Sequence, residues 1–265
     1  MGGRRANAEI FPATTPPTSP DSSRRPVRTR TVVPMTDAFI DIPGVRNFRD
    51  AGGIGALRRG VLYRSGSFHT LTEEGARRLK ALGLRTVIDL RSPFELEVWP
   101  DLWHCLDHET LNLPTLPANR EDLDRPWPED QAELYPFMAE TAGPSLAATV
   151  RRLATPGALP AVVHCAVGKD RTGLTIAVLQ SLLDASEADI TAGFLLSNAG
   201  LGLLDGPTPY RDETGTERVS RPVYAALLAS ALAWIGTHHG SISGYLRAHG
   251  VTDEDLSALR TNLSA

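Results

Sequence analysis

From Phe39 onward, short apolar runs alternate with stretches whose apolar residues recur at helical spacing. Val61-Leu62-Tyr63 reads as a strand. Thr70-Leu71-Thr72-Glu73 has capping-box spacing and opens a helix to Leu82, which Gly83 can end. The β-branched run Arg85 to Leu90 predicts a strand, and Ser92-Pro93-Phe94-Glu95 starts a short helix with proline in its first turn. His108 to Leu113 is a further strand, and Pro144 to Ala154 a further helix. Between them, Pro114 to Pro136 is acidic and proline-rich, a surface loop with some helix towards its end. Pro160 to His164 is the run of a central strand buried on both faces, and Thr172 to Ala185 is apolar nearly all round. Asn198 to Arg221 is Gly-rich and charged, which predicts a mobile loop. Pro222 then begins a helix with Tyr224, Leu227, Leu228, Ala231, Leu232 and Ile235 on one stripe, and Asp253 to Leu263 is the last helix. The alternation predicts an α/β fold: a central, mostly parallel sheet flanked by helices, followed by a helical C-terminal region.

Residues 1–35 stand apart. They hold six arginines against two acids, six prolines and eight Ser/Thr, without apolar periodicity. Such a segment buries too little surface to offset its ordering entropy, so a disordered tail is expected, with 36–265 as a single domain. Met35 as the true start is the plainer alternative. The tail's charge of +4 leaves −8 for the rest of a chain whose net charge is −4. That balance argues against nucleic acid as a partner. The apolar stretch Ala225 to Ile235 falls short of the ~20 residues that cross a membrane. Two cysteines, Cys105 and Cys165, make no disulfide framework, which favours a reducing, cytoplasmic setting.

The chemistry is concentrated in His164-Cys165-Ala166-Val167-Gly168-Lys169-Asp170-Arg171-Thr172-Gly173, between a buried strand and a buried helix. A strand's carboxyl end facing a helix N-terminus binds anions, because the first helical N–H groups are unpaired and carry partial positive charge. The same field favours the thiolate, the nucleophilic form of cysteine. Arg171 can grip two oxygens of one phosphate, Thr172 can place a hydroxyl near the sulfur, and Gly168 lets the backbone curl round an anion. Read alone, a cysteine after an apolar strand is a small core residue. Arginine six positions later, with Gly-Lys-Asp between, favours the catalytic reading. A nucleotide-binding loop is excluded, since Gly168-Lys169 lacks both a glycine five residues earlier and Ser or Thr directly after.

The segment resembles the H-C-x5-R-[ST] signature of cysteine-dependent protein-tyrosine phosphatases, and HCAVGKDRTG is similar to the bacterial PtpB/LipA-like branch. Gly44 to Asp50, Leu62 to Ser65, Ile88 to Ser92 and Gly244 to Arg247 extend the resemblance across residues 40–264, with 114–135 and 199–221 unmatched. It implies hydrolysis of phosphotyrosine through a phosphocysteine, with phosphotyrosine proteins or phosphoinositides as partners. Residues 166–169, Thr172 and Gly173 would bind phosphate, and Lys169 would be an added cation. No metal or other cofactor is expected, because Arg171 and the loop amides carry the positive charge.

Three carboxylates compete as general acid. The resemblance favours Asp170, within the loop, and also makes Asp89 a candidate at the end of its strand. Asp130 in Trp127-Pro128-Glu129-Asp130 lies 35 residues before Cys165. Trp99-Pro100-Asp101 has a suggestive spelling but lies 64 residues before Cys165, after the wrong strand. Arg46, Arg49, Arg64 and Arg91 could surround the phosphate or a lipid head group, with surface ion pairing as the alternative. Asn47 and Asp50 are expected to fix their loop by hydrogen bonds. The cluster His104, Cys105, His108 has no fourth ligand and is not expected to hold metal. Residues 199–235 form a candidate lid. A phosphoinositide phosphatase and a catalytically silent phosphate-binding module are the alternatives to a tyrosine phosphatase.

Overall fold

The computed structural model describes residues 39–104, 106–117, 123–124, 126–212 and 214–264. The expected disordered tail and Cys105 lie outside the described residues. A five-stranded sheet has the order β1-β2-β5-β3-β4, with β1 (Arg49–Asp50), β2 (Leu62–Ser65), β3 (Thr86–Asp89), β4 (Glu109–Asn112) and β5 (Ala161–His164). Only β1 runs antiparallel to its neighbour, so the predicted mostly parallel sheet is what the chain forms.

Period-two alternation divides the sheet's side chains between two cores. Tyr63, Val87 and Val162 face one side, with Phe48, Phe68, Leu71 and Leu79. Leu62, Ile88, Ala161 and Val163 face the other, with the helices of the C-terminal half. The smaller core packs α1 (Glu73–Leu82); the larger packs α3 (Gln131–Thr141), α4 (Gly143–Ala154), α5 (Asp170–Leu182), α7 (Ala225–His239), α8 (Ile242–Ala248) and α9 (Asp253–Leu263). Each fully buried aliphatic contributes about 1.5–3 kcal/mol, so the apolar β5 is anchored from both faces.

Several boundaries differ from the sequence reading, each for a local reason. The cap of α1 is Thr72, whose hydroxyl accepts from the Gly75 amide, while Thr70 donates to the Gly44 carbonyl instead. Pro136 lies inside α3 rather than ending a loop, because Tyr135, Phe137, Met138 and Ala139 are buried around it and packing outweighs propensity. Tyr224 is exposed as the residue before α7, off the buried stripe of Leu227, Leu228, Ala231 and Ile235. The segment read as a mobile loop contains the end of α6 (Glu187–Gly200) and a hairpin of β6 (Thr208–Arg211) and β7 (Glu217–Ser220). Asp212 stitches that turn, accepting from the amides of Thr214 and Thr216 and from Arg218. No helix of the described residues is long and apolar enough to cross a membrane.

Candidate active site

β5 lies at the centre of the sheet, and Cys165, 1% exposed, follows its last residue. The next four residues turn into α5, and the turn is made by Gly168 at φ 69°. A side chain there would meet the Ser65 carbonyl oxygen at 2.2 Å, so only glycine fits. The loop's carbonyls are drawn back onto the scaffold. Ala166 O accepts from the amide and hydroxyl of Ser67 at 3.1 and 3.2 Å. The Asn47 side-chain amide donates to Val167 O at 3.2 Å and to Gly168 O at 2.9 Å. Arg64 donates to Gly168 O at 2.8 Å and to Lys169 O at 3.4 Å.

In a trans peptide the N–H points opposite to the preceding C=O. Carbonyls held backward therefore turn the following amides forward. Consistently, none of the amides from Ala166 to Thr172 donates to another described residue, and Lys169 provides no side-chain cap. The result is a curved row of N–H donors ending at the positive pole of α5, an arrangement whose chemistry suits a multiply charged oxyanion.

Arg171 is fixed by a two-pronged ion pair with Glu95, at 2.6 and 2.7 Å. Glu95 is the third residue of α2 (Pro93–Val98) and also accepts from the Ser92 amide, closing a capping box at the predicted helix start. Burial would raise the Glu95 carboxyl, but Arg171 holds it below its usual range. Burial likewise opposes the charge on Arg171, and Glu95 outweighs it, holding the guanidinium above its ordinary value. Asp170 accepts a 2.7 Å hydrogen bond from the Tyr135 hydroxyl. Lys169 donates to the Arg221 carbonyl at 2.6 Å, tying the loop to the chain just after the hairpin. The Thr172 hydroxyl is buried and bonds to no described residue.

The loop faces a cleft of about 1380 Å³, lined in part by Arg46, Ala166, Val167, Lys169, Asp170 and Arg171. Hairpin residues Tyr210 and Val219 line it, as do Trp127 and Leu134. Residues 40–265 match the model of the tyrosine phosphatase family. The chain belongs to this family. Two relatives agree. A triple specificity protein phosphatase, PtpB, of Mycobacterium tuberculosis is 28% identical, covering 84% of this chain and 98% of that protein. A tyrosine-protein phosphatase of Nostoc commune is 25% identical, covering 78% of this chain and 76% of that protein. Among solved structures, Pseudomonas aeruginosa TpbA aligns with a TM-score of 0.39 at 18% identity, covering 74% of this chain and 91% of that one.

In this phosphatase the remaining predicted residues fall into separate places. Arg46 borders the cleft and donates to Leu201 O at 3.1 Å. Arg49 and Arg64 are buried behind the loop and do not line the cleft. Asp89 is also buried: it accepts three hydrogen bonds from the Arg91 guanidinium, and Arg91 in turn bridges to Asp101 at 2.6 Å. His164 Nε2 lies 3.6 Å from Asp89 and 3.7 Å from Asp101. Burial pushes His164 below its usual value, and burial raises Asp101. These three side chains have ligand-like spacing, but Arg91 already supplies the cation between the two carboxylates. Asp130 borders the cleft while its carboxylate caps α3, accepting from the Glu133 amide at 2.9 Å. Asn47 fixes the signature loop itself, whereas Asp50 accepts from the amides of Gly52 and Gly60. His104 bonds the Leu71 carbonyl, and His108 packs edge-on against Trp103.

Sequence reasoning missed Glu95 and Tyr135. Glu95 reads only as part of a helix start, and its pairing with Arg171 appears only when α2 and α5 meet. Tyr135 reads as part of a proline-rich loop, and nothing in its local sequence points to Asp170.

Proposed function

We propose that this phosphatase hydrolyses phosphotyrosine through a phosphocysteine on Cys165, with Asp170 as general acid. The forward-facing amides of the signature loop beside the fixed Arg171 carry the reading. The amides and Arg171 hold the three equatorial oxygens while the Cys165 sulfur attacks phosphorus in line. The S–P bond forms, the P–O ester bond breaks, and the leaving phenolic oxygen takes the proton from Asp170. In the second step the Asp170 carboxylate accepts a proton from water, whose oxygen attacks phosphorus. The S–P bond breaks and inorganic phosphate leaves. The Thr172 hydroxyl would donate to the departing sulfur. Charge stabilisation rests on Arg171 and backbone dipoles, so the scheme needs no metal.

Asp170 is preferred over the other two carboxylates on placement. It borders the cleft beside Arg171, whereas Asp89 is enclosed by Arg91 and Asp130 is used as a helix cap. A second reading, a phosphoinositide phosphatase, draws on the volume of the cleft and on Arg46 and Lys169 in its lining. The relative named for triple specificity supports a substrate range broader than phosphotyrosine. The region 199–235 is proposed as a lid, tied down through the Lys169 contact to Arg221. The sparse cysteines favour a cytoplasmic setting.

Phosphate release from a phosphotyrosine peptide and a soluble phosphoinositide, by wild type beside Cys165→Ser, tests the proposal. Release that depends on Cys165 and is faster on the peptide is expected. Faster release from the lipid analogue would favour the second reading. Phosphate binding without release would leave a silent binding module.

A further inference from the structure

Among the described residues, two buried arginines make no hydrogen bond or ion pair with a carboxylate. Arg49 is 2% exposed and Arg64 is 3% exposed. Arg49 donates only to neutral oxygens: Asn47 O at 3.1 Å, the Asn47 side-chain oxygen, Gly193 O at 3.2 Å and Ser197 Oγ at 2.9 Å. Its guanidinium also lies 5.3 Å from the Phe39 ring centre. Arg64 donates to Gly168 O, Lys169 O and, at 3.3 Å, the same Ser197 oxygen, while its Nε has no partner. The other enclosed arginines differ, since Arg91 has Asp89 and Asp101, and Arg171 has Glu95.

Two like charges sharing one hydroxyl inside a protein are unfavourable unless an anion faces them. Burial, and then the charge of Arg64, hold Arg49 well below its usual value. Burial lowers Arg64 to about 10, opposed by Cys165, Tyr135 and Asp170, which face it from β5, α3 and α5. A guanidinium keeps its proton in proteins, so both are cations. The groups that offset Arg64 are those of the reaction centre.

We propose that Arg64, backed by Arg49, is a positioning and electrostatic residue that stabilises the bound phosphate from behind the signature loop. The inference rests on the proposed chemistry at Cys165. Arg64 acts in two ways: it pulls the Gly168 and Lys169 carbonyls backward, which turns the next amides forward, and it places beneath the anion a charge that no carboxylate bonds directly. A bound phosphate dianion supplies the missing counter-charge. Low dielectric around the pair preserves the attraction.

Tungstate binding, measured by calorimetry on the full chain, reads this without turnover. Arg64→Met is expected to weaken tungstate at least about tenfold, as the loss of a preorganised charge does. Arg64→Lys keeps the charge and is expected to retain most of the affinity. Arg49→Met, at a side chain whose hydrogen bonds go to Asn47, Gly193 and Ser197, is expected to weaken binding a few-fold. Wild-type affinity in folded Arg64→Met, or Arg64→Lys as weak as Arg64→Met, would overturn the proposal. If Arg64→Met does not fold, Arg49→Met decides, and wild-type affinity there counts against it. Loss of tungstate binding in a chain that releases no phosphate would contradict the catalytic reading and leave this one standing.

Discussion

The Tyr135 hydroxyl donates to one oxygen of Asp170 at 2.7 Å, and the other oxygen lies 3.8 Å from the Lys169 ammonium. Burial, and then the Asp170 carboxylate, raise the phenol well above its ordinary value, so Tyr135 stays a donor throughout the working range. This contact orients the proposed acid. Tyr135→Phe should lower kcat on phosphotyrosine about tenfold with little change in KM, and Asp170→Asn should lower it about 10²–10³-fold. Both losses should shrink for aryl phosphates whose leaving groups need no proton. Equal losses across a leaving-group series would remove Asp170 as the acid.

Glu95 gives a second prediction. It is the carboxylate partner of Arg171, and breaking a buried pair costs about 3–5 kcal/mol because one charge is left uncompensated. Glu95→Gln keeps the volume, so a loss of about 3 kcal/mol is expected in urea unfolding. kcat/KM should fall at least about tenfold as Arg171 loses its orientation. Wild-type kinetics in this variant would mean that Arg171 needs no holder.

The pH dependence of stability follows from the buried network at β3 and β5. Burial pushes His164 below its ordinary value of 6.5, against the pull of Asp89 and Asp101. A depressed value favours folding above the unfolded value, and that contribution is lost as pH falls through the folded one. Asp89 and Glu95 act in the same direction further down, from 3.8 and 4.5. Asp101, raised by burial, acts oppositely, and its contribution is lost as pH rises through its folded value. Urea midpoints should therefore be level above pH ~7, fall below ~6.5 and fall again below ~4.5. His164→Gln should shrink the first fall without removing it, because burial also holds His69, His108 and His249 below their usual value. A wild type equally stable at pH ~5 and ~7.5 would contradict this assignment.

The proposed lid predicts a change in access. Removing residues 200–220 takes away the hairpin and disturbs the Arg221 carbonyl that receives Lys169. Peroxide inactivation, followed through Cys165, should become faster. An unchanged rate would remove the lid.

The sequence made the sheet readable because its strands carry strong local signals: an apolar run at Ala161 to Val163 and a β-branched run at Thr86 to Ile88. The signature loop was readable for the same reason, since its residues are contiguous. Contacts between distant segments were not. Arg49 and Arg64 look like substrate ligands because arginine near a phosphate site suggests one, yet three-dimensional placement sends them behind the loop. The hairpin at 208–220 looked mobile because its turn is set by Asp212, whose bonds form only once the strands pair.

The central claim is that a covalent phosphocysteine forms on Cys165. Rapid acid quench of the full chain with a phosphotyrosine peptide, followed by peptide mass spectrometry, tests it directly. One phosphoryl group on the peptide containing Cys165, enriched by Asp170→Asn and absent from Cys165→Ser, is the result expected. Phosphate release with no phosphoryl group on that peptide, or release persisting in Cys165→Ser, would contradict it.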